Sequence, residues 1–344
     1  MSKPILLQTL NGEATSRPPF WFMRQAGRVL PSYLALKEGY SFWQLMKNPE
    51  LGAKVTLLPI NDLGVDAAIL FSDILVIPYA MGMGLEFTDQ GPVFEKALIE
   101  RNDPVRDLKP DASKLNYIYD VIDAIIKTKP EHIPLIGFCG GPLTVLCYML
   151  EGLGRRAEFP EAIKFMYAHK KETLEIIDKL TDLSIQYVKG QIEHGIEAFQ
   201  LFETHAGLVP VEMYTELFLP SVKKIFNTAR ELNIPTIFFP KGFGFGIQKI
   251  TPDICDFLGI DWQIPIDIAR KHVHPSIGLQ GNLDPRVLFA DQDEIKRKLE
   301  GYLDFGKRNQ NWIFNLGHGF IPGIPFENAR FLADWLKNVD WGRG

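Results

Sequence analysis

Short runs rich in β-branched and aromatic residues recur along the whole chain, and a segment with helical spacing of apolar residues follows each one. Eight such runs stand at residues 19–23, 67–71, 134–139, 198–202, 236–239, 258–263, 277–280 and 312–315. Helical candidates lie between them at 40–63, 114–127, 161–193, 211–232, 293–305 and 326–336. Strand then helix, repeated, implies parallel strands joined by crossover helices, and eight units predict an α/β fold of the (β/α)8 TIM-barrel type. A doubly wound open sheet would accept the same alternation, but no glycine fingerprint for a dinucleotide follows the first run. No low-complexity linker, charge block or further repeat divides the sequence, so residues 1–344 are expected to form a single barrel domain.

Composition bears on the class of partner. With 46% hydrophobic and 23% charged residues and a formal net charge of -5, the chain has the balance of a soluble globular protein. Nothing in it points to a nucleic-acid or membrane surface. Residues 133–150 are long and uncharged enough to raise a membrane span, but Gly140-Gly141-Pro142 interrupts them, which suits a buried strand, turn and helix. The N-terminus lacks the apolar stretch of a secretory signal. Cys139, Cys147 and Cys255 are too few and too scattered for a disulfide framework or a four-cysteine zinc site. A cytoplasmic protein is expected.

Barrel enzymes build their sites from the residues just past the C-terminal ends of the strands. Here those positions carry Arg24 and Arg28, Asp73, Gly140-Gly141-Pro142, Glu203-Thr204-His205, Lys241, Asn282 and Asp284, and His318. Two arginines four positions apart, around Gln25, Ala26 and Gly27, fall on one side of a helical turn and can clamp carboxylates, since guanidiniums stay charged and pair bidentately. The competing reading is an exposed pair bridging acids elsewhere. Asp73 lies between apolar neighbours, Phe71-Ser72 and Ile74-Leu75, where an unpartnered charge is penalised. It reads either as an acceptor for a cationic or NH-rich ligand or as a helix cap.

His318 stands between two glycines after the last run, free to meet an anion or move a proton, or to serve as an ordinary structural histidine. Tyr148 lies at the start of an apolar helix, where a core role is the plain reading. His272 and His274 lack a third ligand, so no metal is expected. Gly242-Phe243-Gly244-Phe245-Gly246 matches no nucleotide cradle and reads as a flexible aromatic loop near the pocket. Asp73 with Glu203 has the makings of a glycosidase carboxylate pair.

Phe22-Met23-Arg24-Gln25-Ala26-Gly27-Arg28 with Leu30-Pro31, and Phe71-Ser72-Asp73-Ile74-Leu75, closely resemble the uroporphyrinogen decarboxylase family. The resemblance continues through Gly137-Phe138-Cys139-Gly140-Gly141-Pro142, Tyr148-Met149, Phe202-Glu203-Thr204-His205-Ala206-Gly207, Gln280-Gly281-Asn282-Leu283-Asp284-Pro285 and Asn315-Leu316-Gly317-His318-Gly319. It spans nearly the whole chain. It implies a cofactor-free homodimer of (β/α)8 barrels converting uroporphyrinogen III to coproporphyrinogen III by removing carbon dioxide from four acetate arms. The family's substrate-contacting positions fall on Arg24, Gln25, Ala26, Gly27, Arg28, Asp73, Tyr148, Thr204 and His318. Among them Asp73, as stabiliser of a cationic intermediate, Arg24 and His318 are implied to be catalytic. Val29 replaces an aromatic common in the family, Thr204 keeps the hydroxyl of a frequent serine, and Lys37 stands where some relatives have arginine.

Two further readings compete. A related zinc-dependent methyltransferase would need a His-x-Cys arrangement, and none of the three cysteines follows a histidine in that way. A porphyrinogen carrier without turnover would use the same binding residues.

Overall fold

The computed structural model describes residues 3–88, 91–152 and 158–343. Nine strands occur in the described chain: β1 (Ala68–Ile69), β2 (Leu85–Thr88), β3 (Gly91–Phe94), β4 (Leu135–Gly140), β5 (Ala198–Glu203), β6 (Thr236–Pro240), β7 (Phe257–Gly259), β8 (Gly278–Gln280) and β9 (Trp312–Ile313). All but β2 and β3 form one parallel sheet in the order β1-β4-β5-β6-β7-β8-β9. Every residue of β4 and β6 is buried, as expected of strands covered on one face by helices and on the other by the barrel interior.

Residues 19–23 close the barrel without forming a strand. Phe20 bridges Phe314 in parallel on one side, and its carbonyl accepts the Asp66 N–H at 2.9 Å on the other. The reason lies in the sequence: Pro18 and Pro19 have no N–H to give a ladder. Side chains serve the residues that follow. Asp66 Oδ2 accepts from Phe20 N (2.9 Å), Gln25 Oε1 from Phe22 N (3.0 Å) and Asn315 Oδ1 from Met23 N (3.2 Å). The first of the eight expected strands is thus a single bridge held by three side-chain acceptors.

Other boundaries shift for similarly local reasons. The run at 258–263 becomes β7, ending at Gly259, and the candidate helix at 40–63 divides into Phe42–Lys47 and Pro49–Asp62. Between the two, Asn48 caps the second helix by accepting the Leu51 N–H at 2.9 Å, and Pro49 takes its first position. The candidates at 161–193, 211–232 and 293–305 also divide, at His169, Phe218 and Gly301–Tyr302. Residues 133–150 resolve into β4 and the helix Pro142–Glu151. No helix among the described residues is long and apolar enough to cross a membrane. Inside the barrel, Trp21 Nε1 donates to Gln280 Oε1 and Gln280 Nε2 to Gln200 Oε1, both at 3.0 Å, so the buried amides are linked across the core.

Candidate active site

A cavity of about 820 Å³ opens at the C-terminal ends of the strands, within the size range of small-molecule sites. Arg24, Gln25, Ala26, Gly27, Arg28, Lys37, Asp73, Tyr148, Thr204 and His318 all line it. Residues more than 290 positions apart in sequence therefore share one wall, as the closing contact between Phe20 and Phe314 requires.

The loop after the first run is fixed from behind. Gln25 is fully buried; its Oε1 accepts from Phe22 and its Nε2 donates to the Ala67 carbonyl at 2.9 Å, so its amide is committed to backbone. Arg24 has φ +61, a left-handed conformation unusual for a side chain of this size. Gly319 makes room for it, because a Cβ there would come within 2.4 Å of Arg24 Cδ. Among the described residues no carboxylate lies within ion-pair distance of Arg24 or Arg28. Both guanidiniums line the cavity outside any ion pair, rather than bridging surface acids, and Arg24 lies in the field of Asp73.

Of its two sequence readings Asp73 keeps the first: it lines the cavity, whereas the helix Val76–Ala80 has Leu75 as its N-cap and no side-chain cap. Its Oδ1 accepts the Leu75 N–H at 2.8 Å, beside the start of the helix Val76–Ala80, which leaves Oδ2 for the cavity. Burial pushes its carboxyl up to about 6, against the pull of the Leu75 amide and the Arg24 charge. The imidazole of His318 moves the other way, down to about 3, chiefly through burial and then through the positive charges of Arg24 and Lys241. It is neutral at pH 7 and meets an anion as an N–H donor, not as a cation.

Tyr148 lies towards the C-terminal end of Pro142–Glu151, half-buried rather than in the core, and burial followed by the Asp73 charge raises its phenol above the ordinary range. Glu203, by contrast, turns away from the cavity. It is fully buried, its Oε1 accepts from Thr144 N (2.6 Å), and its Oε2 from Leu143 N (3.2 Å) and the Tyr214 hydroxyl (3.1 Å). It caps the helix that carries Tyr148. A Cβ on Gly141 would meet its carboxyl carbon at 2.5 Å, so the capping geometry needs glycine there. The glycosidase pairing of Asp73 with Glu203 is thereby overturned: one acid faces the cavity and the other a helix end.

Several neighbours escaped the sequence reading. The hairpin β2–β3 supplies Phe87, Thr88, Gly91 and Pro92 to the cavity wall; two short runs flanking Asp89-Gln90-Gly91-Pro92 were its available signal. Trp262 lies 6.2 Å from the His318 ring and carries the Lys241 ammonium at 5.4 Å, a contact no local motif announces. The glycine-rich segment at 242–246 is not a flexible loop at the pocket: Gly244–Lys249 is a 3₁₀ helix and Phe243 is buried against Tyr214. All three cysteines are buried, and among the described residues no group of three or more metal-ligating side chains gathers.

The family model described as uroporphyrinogen decarboxylase matches residues 1–339. Curated relatives of that name include proteins from Pelobacter propionicus, 39% identical over 95% of this chain and 96% of the relative, and from Geobacter metallireducens, 40% identical over the same shares. Another, from Hydrogenovibrio crunogenus, is 41% identical over 94% of this chain and 93% of its own. Among solved structures, a methyltransferase from Methanosarcina mazei superposes with a TM-score of 0.79 at 19% identity, covering 98% of this chain and 99% of that one. A B12-independent methionine synthase from a Shewanella species does so with a TM-score of 0.54 at 11% identity, covering 96% and 95%. At these identities the structural likeness speaks to the fold alone.

Proposed function

Because the chain belongs to the uroporphyrinogen decarboxylase family, we propose that it removes carbon dioxide from the four acetate arms of uroporphyrinogen III, giving coproporphyrinogen III for porphyrin biosynthesis. The observation that carries the reading is the charge pattern of the cavity: the half-buried carboxylate of Asp73 faces the same space as two guanidiniums held in no ion pair among the described residues, while the second lining acid, Glu38, is exposed. The substrate has the complementary pattern, with four pyrrole N–H groups at its centre and eight carboxylates at its edge.

Asp73 accepts from the central N–H groups, while Arg24 and Arg28 pair with peripheral carboxylates and the neutral His318 donates one hydrogen bond. Loss of carbon dioxide leaves an electron pair on the arm's methylene carbon. A pyrrole protonated at a ring carbon takes up that pair, and protonation of the exocyclic carbon then completes a methyl group. The substrate thus supplies its own electron sink. Asp73 stabilises the transient cation, an effect strongest where water is excluded and the charge is preorganised. His318 is a poor store for the incoming proton because its imidazole, with burial pushing it down to about 3, takes up a second proton only in strong acid.

The family reading extends to a cytoplasmic homodimer built from one barrel domain over residues 1–344. Tyr40, exposed where it lines the cavity, and Val93, exposed on β3, would supply apolar surface to such a pairing. The test of the activity is anaerobic incubation with reduced uroporphyrinogen III, followed by chromatography of the oxidised porphyrins. The expected result is a series from eight to four carboxylates. Bound but unchanged substrate would reduce the protein to a carrier.

A further inference from the structure

We propose that His205 is a positioning residue for Tyr148: its Nε2–H donates to the phenolic oxygen and turns the hydroxyl proton into the cavity, toward a carboxylate of the substrate. The inference rests on the functional reading above for the identity of that carboxylate. Its geometric basis is a double attachment of residue 205 to one face of one helix. The His205 backbone N–H donates to Thr144 Oγ1 at 3.0 Å, and four residues further along Pro142–Glu151 the Tyr148 hydroxyl lies 3.4 Å from His205 Nε2. Positions i and i+4 share a helix face, so a single rim residue holds both. Phe159 closes the arrangement edge-on, its ring centroid 5.1 Å from Tyr148 and 5.0 Å from His205.

Burial and the Lys241 charge hold the imidazole near 4, so at neutral pH it has one N–H to place. The phenol stays protonated under the same burial. If Nδ1 carried the imidazole proton, the phenol would donate to Nε2 and show only lone pairs to the cavity. A carboxylate there would then be repelled. With the proton on Nε2, the phenol accepts from His205 and donates to the incoming anion.

His205→Phe keeps a ring against Phe159 and removes the N–H, whereas His205→Gln keeps an N–H at similar reach. One neutral hydrogen bond corresponds to about a tenfold effect, so His205→Phe is expected to lower kcat/KM about tenfold, mainly through KM. His205→Gln should recover most of that. In a Tyr148→Phe background, His205→Phe should add less than a further twofold loss; an undiminished loss there overturns the proposal. A second readout is independent of turnover. In protein carrying ¹⁵N-labelled histidine, the imidazole signal absent from His205→Gln should report the Nε2–H tautomer, and an Nδ1–H tautomer overturns the proposal. Should the wild-type protein leave uroporphyrinogen untouched, the functional reading falls and the tautomer still decides the role of His205.

Discussion

At the scale of single residues, the cavity sorts its ionisable groups by how each is desolvated and what charge it faces. Asp73 and His318 share one wall, yet burial drives the carboxyl up to about 6 and the imidazole down to about 3. The pH dependence of kcat/KM should therefore show an acid limb near 6 that belongs to Asp73. His318→Asn is expected to leave that limb in place; its disappearance would assign the titration to the histidine. Asp73→Asn keeps the acceptor for the Leu75 N–H but removes the charge, and should lower kcat by on the order of a hundredfold or more. The same variant should be more stable at alkaline pH. Because the folded-state value lies above the unfolded one, the wild-type protein loses stability as pH rises from about 4 through 6. The variant escapes this loss, on the order of 3 kcal/mol at pH 8 and vanishing near pH 4. Thermal melts of both proteins at the two pH values check the sign.

At the scale of elements, the informative piece is Pro142–Glu151, a helix whose start is held by an acid from the neighbouring strand. Glu203 follows Phe202 on β5, and the Phe202 carbonyl also accepts the Gly141 N–H at 2.8 Å, so strand and helix start are joined twice. Removing the carboxylate in Glu203→Ala would leave two helix N–H groups and the Tyr214 hydroxyl buried without an acceptor, a cost of about 3 kcal/mol or more. Gly141→Ala should destabilise as well, by forcing the cap apart. Both are expected to lower the urea midpoint, and substrate affinity should weaken in parallel because Tyr148 rides on this helix. Unaltered midpoints would show that the helix starts without its cap. Sequence alone placed the strand and the helix here. It did not distinguish a capping acid from a catalytic one, because Glu203 and Asp73 both follow an apolar run, at 198–202 and 67–71.

For the whole molecule, the decisive step is closure of the barrel between residues distant in sequence. Asp66 holds the seam: Arg17 Nη1 and Nη2 reach its two oxygens at 2.6 and 2.7 Å, and Oδ2 also accepts the Phe20 N–H. Asp66→Ala removes all three bonds and strands a half-buried guanidinium. It should cost about 3 kcal/mol in urea unfolding with an unchanged slope. A loss confined to a few tenths of a kcal/mol would mean that packing of Phe20 and Phe314 alone closes the ring. The alternation of strand and helix, and the polar residues past each strand, were legible because hydrophobic period and strand order are local properties carried by the chain itself. The first strand's reduction to one bridge was only half legible: the prolines announce the missing donors, but the acceptors that replace the ladder come from Asp66, Gln25 and Asn315. Likewise, which acid faces the cavity, which histidine loses its charge and which residue holds Tyr148 depend on distances across the barrel. Those distances exist only once residue 20 lies against residue 314, and electrostatic energies follow separation in space, not position along the chain.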